Sequence, residues 1–153
     1  MRDARLTDAE LEAMLPSRTA WVIEAAYQDG AARTVESRSV YVANLPGGCH
    51  ACALGTLVMG LPGIWRRVRQ NGYGLIGFHS TTQLILVAFP ELRRMPRFDC
   101  PLGDGWRGTV LEVVDHLHSA HCWSRRGCIT WLEEQVEAYE RAQGITRAFC
   151  TGA

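Results

Sequence analysis

The sequence contains no lysine, because all sixteen of its basic residues are arginine. Chemistry that requires a Schiff-base lysine or the lysine of a phosphate-binding P-loop is therefore excluded. Sixteen acidic residues balance the arginines, so the chain has no formal net charge. No long-range field draws it toward nucleic acid or an anionic membrane, and any such binding must be local.

Long apolar runs are also absent. The longest, LILVAF from Leu84 to Phe89, is far shorter than the ~20 residues that a membrane helix needs. The opening segment MRDARLTDAELEAML carries acids throughout and lacks the apolar stretch of a secretory signal. These absences predict a cytoplasmic protein without membrane contact, whose six cysteines are thiols or metal ligands rather than disulfides.

Helical patterns dominate the chain. Thr7 and Glu10 have the spacing of a capping box for a first helix, and Ser17 can cap a second that stops at Asp29 and Gly30. The composition, 47% hydrophobic over 153 residues, suits one core. We predict a single all-α domain over residues 1–153, an orthogonal multi-helix domain of about six or seven helices.

The central helix is predicted from His50, where ACALGTLVMG is apolar on all sides and Gly55 marks close contact with another backbone. Residues 35–43 fit a strand or a helix, and we interpret them as helix. Residues 93–107 are predicted to be an exposed connection, of a length that is often functional. Four more helices are predicted. The first is IWRRVRQNG, and the second opens with the capping-box pattern of Ser80 and Gln83. The third runs from Thr109 to about Cys122, and the fourth runs from Thr130 to Gln143, where Gly144 ends it.

A zinc site is the first chemical hypothesis. Cys49 and Cys52 have the spacing of two thiolate ligands. On a helix, His118 would share a face with Cys122 or His121 and could complete a tetrahedral site, with Cys128 as a substitute. The alternative is that buried cysteines act as small hydrophobic residues and that the histidines are partly exposed near a helix end.

Thiol chemistry at Cys49 and Cys52 is a second hypothesis. A C-x-x-C pair at a helix start can hold a stabilised thiolate, although the βαβ setting of thioredoxin-like proteins is not predicted here. No local signature of a cysteine protease surrounds any of the cysteines.

Three segments are rich in arginine, namely WRRVR from Trp65, LRRMPR from Leu92 and WSRR from Trp123. Arginine with tryptophan is a combination that stacks on bases or anchors protein interfaces. The alternative is a set of solvated helix faces and loop arginines. The candidate binding residues are Trp65, Arg66, Arg67, Arg69, Arg93, Arg94, Trp123, Arg125 and Arg126.

The element CHACALGTL, from Cys49 to Leu57, resembles a family of small, uncharacterised bacterial and phage proteins with a C-x-x-C-A-x-G-[AST]-L motif. Members also tend to have a later helix that ends in an Ala-Phe pair, here QLILVAFPEL, where Pro90 displaces the usual acidic residue. The resemblance implies an α-helical domain from a mobile genetic element. It supplies no activity and no catalytic residue.

We therefore predict a non-enzymatic helical interaction protein, a phage or mobile-element accessory factor that binds a bacterial protein. No catalytic set emerges from the motifs, whereas tryptophan and arginine are typical interface anchors. The alternatives are a zinc- or thiol-dependent enzyme centred on Cys49 and Cys52, and a nucleic-acid-binding module that uses the arginine and tryptophan segments.

Overall fold

A computed structural model of the chain describes residues 5, 7, 10, 17–38, 40–45, 48–70 and 75–144. Six α-helices and one 3₁₀ helix lie within these residues. The α-helices are α1 (Arg18–Arg33), α2 (Ala53–Met59), α3 (Ile64–Gln70), α4 (Phe78–Ala88), α5 (Val110–Ser119) and α6 (Arg125–Gln143), and the 3₁₀ helix is Pro90–Arg94.

Two small sheets accompany these helices, so the all-α prediction is wrong and the fold is mixed α/β. The larger sheet has the order β1–β3–β2–β4, in which β1 is parallel to β3 and the other neighbours are antiparallel. The smaller sheet is the antiparallel hairpin β5–β6. The strands are β1 (Val35–Glu36), β2 (Val42–Leu45), β3 (Gly48–Ala51), β4 (Leu75–Ile76), β5 (Phe98–Asp99) and β6 (Arg107–Gly108).

The strands were not predicted because they are short and because they form only by pairing with strands from other parts of the chain. None is longer than four residues, too few to establish a two-residue period. The segment that we interpreted as helix contains β1 and leads into β2. Strand β2 pairs with β3, with Val42 opposite Ala51 and Leu45 opposite Gly48, and this partner is not visible in the local sequence.

Helix α2 lies at the centre of the fold, and all seven of its residues are buried, as predicted. It begins at Ala53 rather than near His50, because Cys52 caps it: the Cys52 Sγ accepts a hydrogen bond from the Gly55 amide at 3.4 Å. A Cβ at Gly55 would lie 1.6 Å from the backbone oxygen of Tyr41. The predicted close approach at Gly55 is therefore confirmed.

Helix α1 lies against α2 and is longer than predicted. The Ser17 side chain caps it, as predicted, by accepting a hydrogen bond from the Ala20 amide at 3.1 Å. The helix continues past Gly30 to Arg33. Gly30 is a contact point rather than a stop, since a Cβ there would lie 1.7 Å from the backbone oxygen of Thr56.

Helices α5 and α6 confirm the two helices predicted near the end of the chain, with different bounds. Helix α5 ends at Ser119 instead of near Cys122. Helix α6 begins at Arg125 instead of Thr130, and it ends as predicted at Gly144, which has a left-handed φ of 68°. Because α5 ends at Ser119, His121 lies outside the helix, whereas His116 and His118 lie in its last turn.

The remaining helix predictions are partly confirmed. Helix α3 forms where expected, and α4 begins at Phe78 rather than at Ser80. Thr7 and Glu10 exchange the two capping-box hydrogen bonds, at 2.7 and 3.1 Å, but most of the helix predicted after them lies outside the described residues. None of the helices in the described part of the chain combines the length and apolar character that a membrane span requires.

Candidate metal centre

Four side chains from the β5–β6 hairpin and the end of α5 converge on one point. Their ligand-type atoms all lie within 4.8 Å of one another. The Nε2 atoms of His116 and His121 each lie 2.7 Å from Oδ2 of Asp104, and the Cys100 Sγ lies 3.6 Å from the His121 Nε2. We call this group of Cys100, Asp104, His116 and His121 the hairpin cluster.

The loop between β5 and β6 fixes two of these side chains. It closes through a hydrogen bond from the Cys100 amide to the Trp106 carbonyl at 2.7 Å and a turn from the Gly103 amide to the Cys100 carbonyl at 3.0 Å. Positive φ angles at Gly103 and Gly105, 71° and 84°, allow the chain to reverse. The Oδ1 of Asp104 accepts from the Trp106 amide at 2.9 Å, which directs Oδ2 toward the histidines.

Helix α5 and the segment that follows it position the two histidines. His116 lies in the last turn of the helix, and His121 follows after the helix has ended. The Trp106 ring stacks on the His116 imidazole, with centroids 4.3 Å apart and an interplanar angle of 5°. The two imidazoles meet edge to face at 4.9 Å. Ring contacts thus orient both Nε2 atoms toward the same carboxylate.

The hairpin cluster keeps Asp104 ionised. The backbone amide of Trp106, followed by the imidazoles of His116 and His121, lowers the pKa of this carboxyl far below its ordinary value. The side chain of Asp104 is 30% exposed, whereas Cys100 is buried. The centre is therefore open to solvent from the carboxylate side and closed on the thiol side.

One thiol, two imidazoles and a carboxylate form a donor set suited to a transition metal such as zinc. The hairpin cluster can hold a metal ion, and it is the one group of at least three such side chains among the described residues. Its histidine–aspartate contacts are also ordinary hydrogen bonds in the absence of an ion. The geometry therefore permits metal binding without requiring it.

The structure does not bring the predicted metal ligands together. His118 is buried on α5, and its Nε2 lies 3.0 Å from Oε2 of Glu36 on β1. Cys122 is exposed, with a positive φ of 56°. Because α5 ends at Ser119, the helical spacing assumed between His118 and the later candidates is lost. Of the five predicted ligands, only His121 belongs to the hairpin cluster.

Cys49 and Cys52 are not part of the hairpin cluster, and both are buried. Burial raises the pKa of both thiols above the ordinary value, to about 11 for Cys52. A nucleophilic or redox-active cysteine requires a thiolate that solvent can reach. The environment of these cysteines therefore counts against the hypothesis of a thiol-dependent enzyme.

Two of the predicted binding arginines have internal roles at the start of α6. Arg125 donates through one nitrogen to the hydroxyls of Thr34 and Thr56, both at 2.8 Å. Arg126 forms two hydrogen bonds to Glu24 on α1, at 2.7 and 2.6 Å, and a third to Glu133 at 3.1 Å. These contacts join α6 to α1 and α2.

The other predicted binding residues lie on separate elements. Arg66 and Arg67 are exposed on α3, as are Arg93 and Arg94 on the 3₁₀ helix. The Arg33 guanidinium lies 5.7 Å from the ring centroid of Trp65. Trp123 packs against the main core, and the side chain of Arg69 lies outside the described residues. A binding role for the exposed arginines stays a prediction.

No protein-family model, curated protein or solved structure matches this chain. The family resemblance at Cys49 to Leu57 therefore stays a prediction. Sequence reasoning did not single out Cys100, Asp104 and His116, which belong to the hairpin cluster, although it marked residues 93–107 as a connection of functional length. The Asp-Gly pair at Asp104 and Gly105 is a turn signal in the sequence, and it lies within the loop between β5 and β6.

Proposed function

We propose that this protein binds zinc and that the ion has a structural role, fixing the β5–β6 hairpin to the end of α5. One observation carries the proposal: the hairpin cluster gathers four side chains of zinc-ligand type, with all their donor atoms within 4.8 Å. Four protein ligands fill a tetrahedral shell, which is typical of structural rather than catalytic zinc.

The separations support this proposal. With zinc–ligand bonds of about 2.0 to 2.3 Å, two donor atoms of a tetrahedral site lie about 3.3 to 3.7 Å apart. The Cys100 Sγ and His121 Nε2, at 3.6 Å, already have this separation. The histidine–aspartate distances of 2.7 Å would lengthen by about 0.6 Å to admit the ion.

Elemental analysis tests the proposal directly. Protein purified without chelator should carry about one zinc ion per chain. The variants Cys100→Ser and His121→Gln should lose most of it, because each removes a ligand. Cys122→Ser is the matched control, since it alters an exposed thiol beside His121 that is not part of the cluster, and it should retain the wild-type zinc content.

Cobalt substitution identifies the ligands independently of zinc content. Wild-type protein loaded with Co²⁺ should show a thiolate-to-metal charge-transfer band together with tetrahedral ligand-field bands. Cys100→Ser should lose the charge-transfer band, while Cys122→Ser and Cys52→Ser keep it. Wild-type protein that binds neither zinc nor cobalt, with circular dichroism showing a folded chain, would exclude the proposal.

The protein-binding role predicted from the sequence is a second candidate, favoured by large exposed apolar side chains. Trp21 on α1 is 60% exposed and Val87 on α4 is 73% exposed. A hydrogen bond of 2.7 Å from Thr19 to Glu91 joins α1 to the 3₁₀ helix that follows α4. Val22 on α1, 44% exposed, lines one cavity together with Ala88 and Phe89, and contiguous exposed apolar surface of this kind is typical of interaction sites.

This second candidate is tested by comparing variants. We expect a bacterial protein retained by the wild-type chain to be lost with Val87→Ser. The control is Glu134→Gln, which alters an exposed residue on α6 and should retain the same protein. Identical sets of retained proteins from all three chains would count against a protein-binding surface at the end of α4.

A further inference from the structure

A cavity of about 480 Å³ opens between α4, the 3₁₀ helix and the start of α5. Its volume lies within the range of about 300 to 1,000 Å³ that is typical of small-molecule sites. No member of the hairpin cluster lines it. The cavity is therefore distinct from the proposed zinc site.

Most of the cavity wall is apolar. Phe78, Thr82 and Leu86 recur every fourth residue on α4 and share one face of that helix. These three side chains are half-buried, so an apolar ligand lying along them would cover surface that is still in contact with water. The other apolar lining residues are Leu92, Met95, Val110 and Leu111, all of them buried.

The charged lining residues favour an anion. Arg93 and Arg97 are exposed, and neither forms an ion pair with any described residue. Within the described part of the chain, the guanidinium of Arg93 donates a single hydrogen bond, to Gln83 at 3.5 Å. The single carboxylate in the lining, Glu112, already accepts a hydrogen bond from the Thr109 amide at 2.8 Å in the cap of α5. Two guanidinium groups thus remain available to a bound anion.

We propose that this cavity binds a small amphipathic carboxylate. Its apolar chain would lie along the α4 face at Phe78 and Leu86, and its carboxylate would accept hydrogen bonds from Arg93 and Arg97. A carboxylate matches the fork of donors that a guanidinium presents. A cationic ligand would be repelled, and a neutral one would leave both guanidinium groups without a charged partner. Binding at this site does not require zinc.

Titration calorimetry with decanoate tests the proposal on the full chain as purified. We expect saturable binding of one decanoate per chain. Arg97→Gln should weaken it about tenfold or more, because a charge-assisted hydrogen bond is lost. Arg94→Gln is the matched control: it alters the last residue of the 3₁₀ helix, an exposed arginine that lines a different cavity, and should leave the affinity for decanoate unchanged.

Two further measurements separate the apolar and charged parts of the site. Decan-1-ol lacks the charge, so Arg93→Gln and Arg97→Gln should leave its affinity unchanged. Thr82→Trp, which places a bulky ring in the cavity, should prevent binding of both molecules. Absence of saturable decanoate binding, or equal weakening by Arg97→Gln and Arg94→Gln, would overturn the proposal. Since the sites share no residue, failure of either leaves the other standing.

Discussion

Two cysteine-containing regions of this protein differ in how their side chains meet. In the first, Cys49 and Cys52 are close in sequence yet enter different apolar clusters: Cys49 packs with Val42 and Met59, and Cys52 belongs to the main core. In the second, the hairpin cluster, residues from position 100 to position 121 place their donor atoms within 4.8 Å. The region with the motif packs the interior, and the region without it gathers a set of donor atoms that could hold a metal ion.

Backbone conformation explains the difference. Cys49 lies in β3 and Cys52 is the N-cap of α2, so the chain changes from strand to helix between the two sulfurs. A C-x-x-C pair converges on one ion only when the intervening backbone turns both thiols to the same side. In the hairpin cluster, a tight loop and a helix end, locked by the Trp106–His116 stack, supply that convergence.

The largest expected effect tests the packing role of the first region. Gly55→Ala places a methyl group 1.6 Å from the backbone oxygen of Tyr41, a contact that only backbone displacement can relieve. We expect the free energy of unfolding to fall by more than about 4 kcal/mol, or the chain to remain unfolded. Urea unfolding of the variant and the wild type, followed by circular dichroism, measures this difference in the free energy of unfolding.

Gly77→Ala is the control for that substitution. A Cβ at Gly77 meets no atom within 4 Å, and its φ of −83° suits any residue. We expect a loss of no more than ~1 kcal/mol, since alanine is a poorer N-cap than glycine. If the two alanine variants were equally stable, the close packing of α2 against the Tyr41 segment would be refuted.

The next largest change in the free energy of unfolding is expected at the hairpin cluster. Removing zinc with a chelator should lower the free energy of unfolding of wild-type protein by about 2 to 4 kcal/mol, because an ion that binds only the folded chain stabilises it by mass action. Cys100→Ser should be insensitive to the chelator. Thermal unfolding with and without chelator, repeated with Cys122→Ser as a chelator-sensitive control, measures this difference.

Two outcomes would contradict this contrast between the two cysteine-containing regions. If the midpoint of thermal unfolding of wild-type protein did not change with chelator, no bound ion would stabilise the hairpin. A Cys100→Ser variant as chelator-sensitive as the wild type would place the ion elsewhere in the chain. Either result would remove the chemical distinction between the hairpin cluster and the Cys49–Cys52 region.

The helices could be predicted because their signals are local. Ser17 and Thr109 form caps with amides within three residues, and Gly144 ends α6 in the left-handed conformation that glycine favours. The burial of α2 followed from an apolar run, and Gly55 within it indicated a close contact. Each signal can be read from neighbouring residues.

The sheets and the site could not be predicted in the same way. The strands acquire their identity from partners elsewhere in the chain, as when Val35 pairs with His50. His121 was grouped with His118 and Cys122 because we extended α5 through Cys122, whereas the helix ends at Ser119 and His121 lies in the hairpin cluster. Cys100 was given no partner because the hairpin that brings it to α5 is a tertiary feature.

The smallest expected effect concerns Cys52, which the comparison assigns to packing and capping alone. The Gly55 amide donates a hydrogen bond to the Cys52 sulfur at 3.4 Å. In Cys52→Ser the serine hydroxyl can accept this hydrogen bond instead, and serine is a favoured N-cap. Loss of a buried sulfur opposes this gain. At pH 7 we expect a change below about 1 kcal/mol in the free energy of unfolding, with zinc content unchanged.

Measurements at alkaline pH isolate the contribution of the buried Cys52 thiol to the free energy of unfolding. Burial raises the Cys52 pKa from 9.0 to about 11, so between these pH values the unfolded chain releases a proton that the folded chain retains. The free energy of unfolding therefore falls as the pH rises through this interval, and Cys52→Ser should show a shallower decline. Urea unfolding at pH 7, 9 and 10 measures both slopes. Equal slopes would mean that Cys52 titrates like an exposed thiol, and loss of zinc from Cys52→Ser would return this cysteine to the metal site.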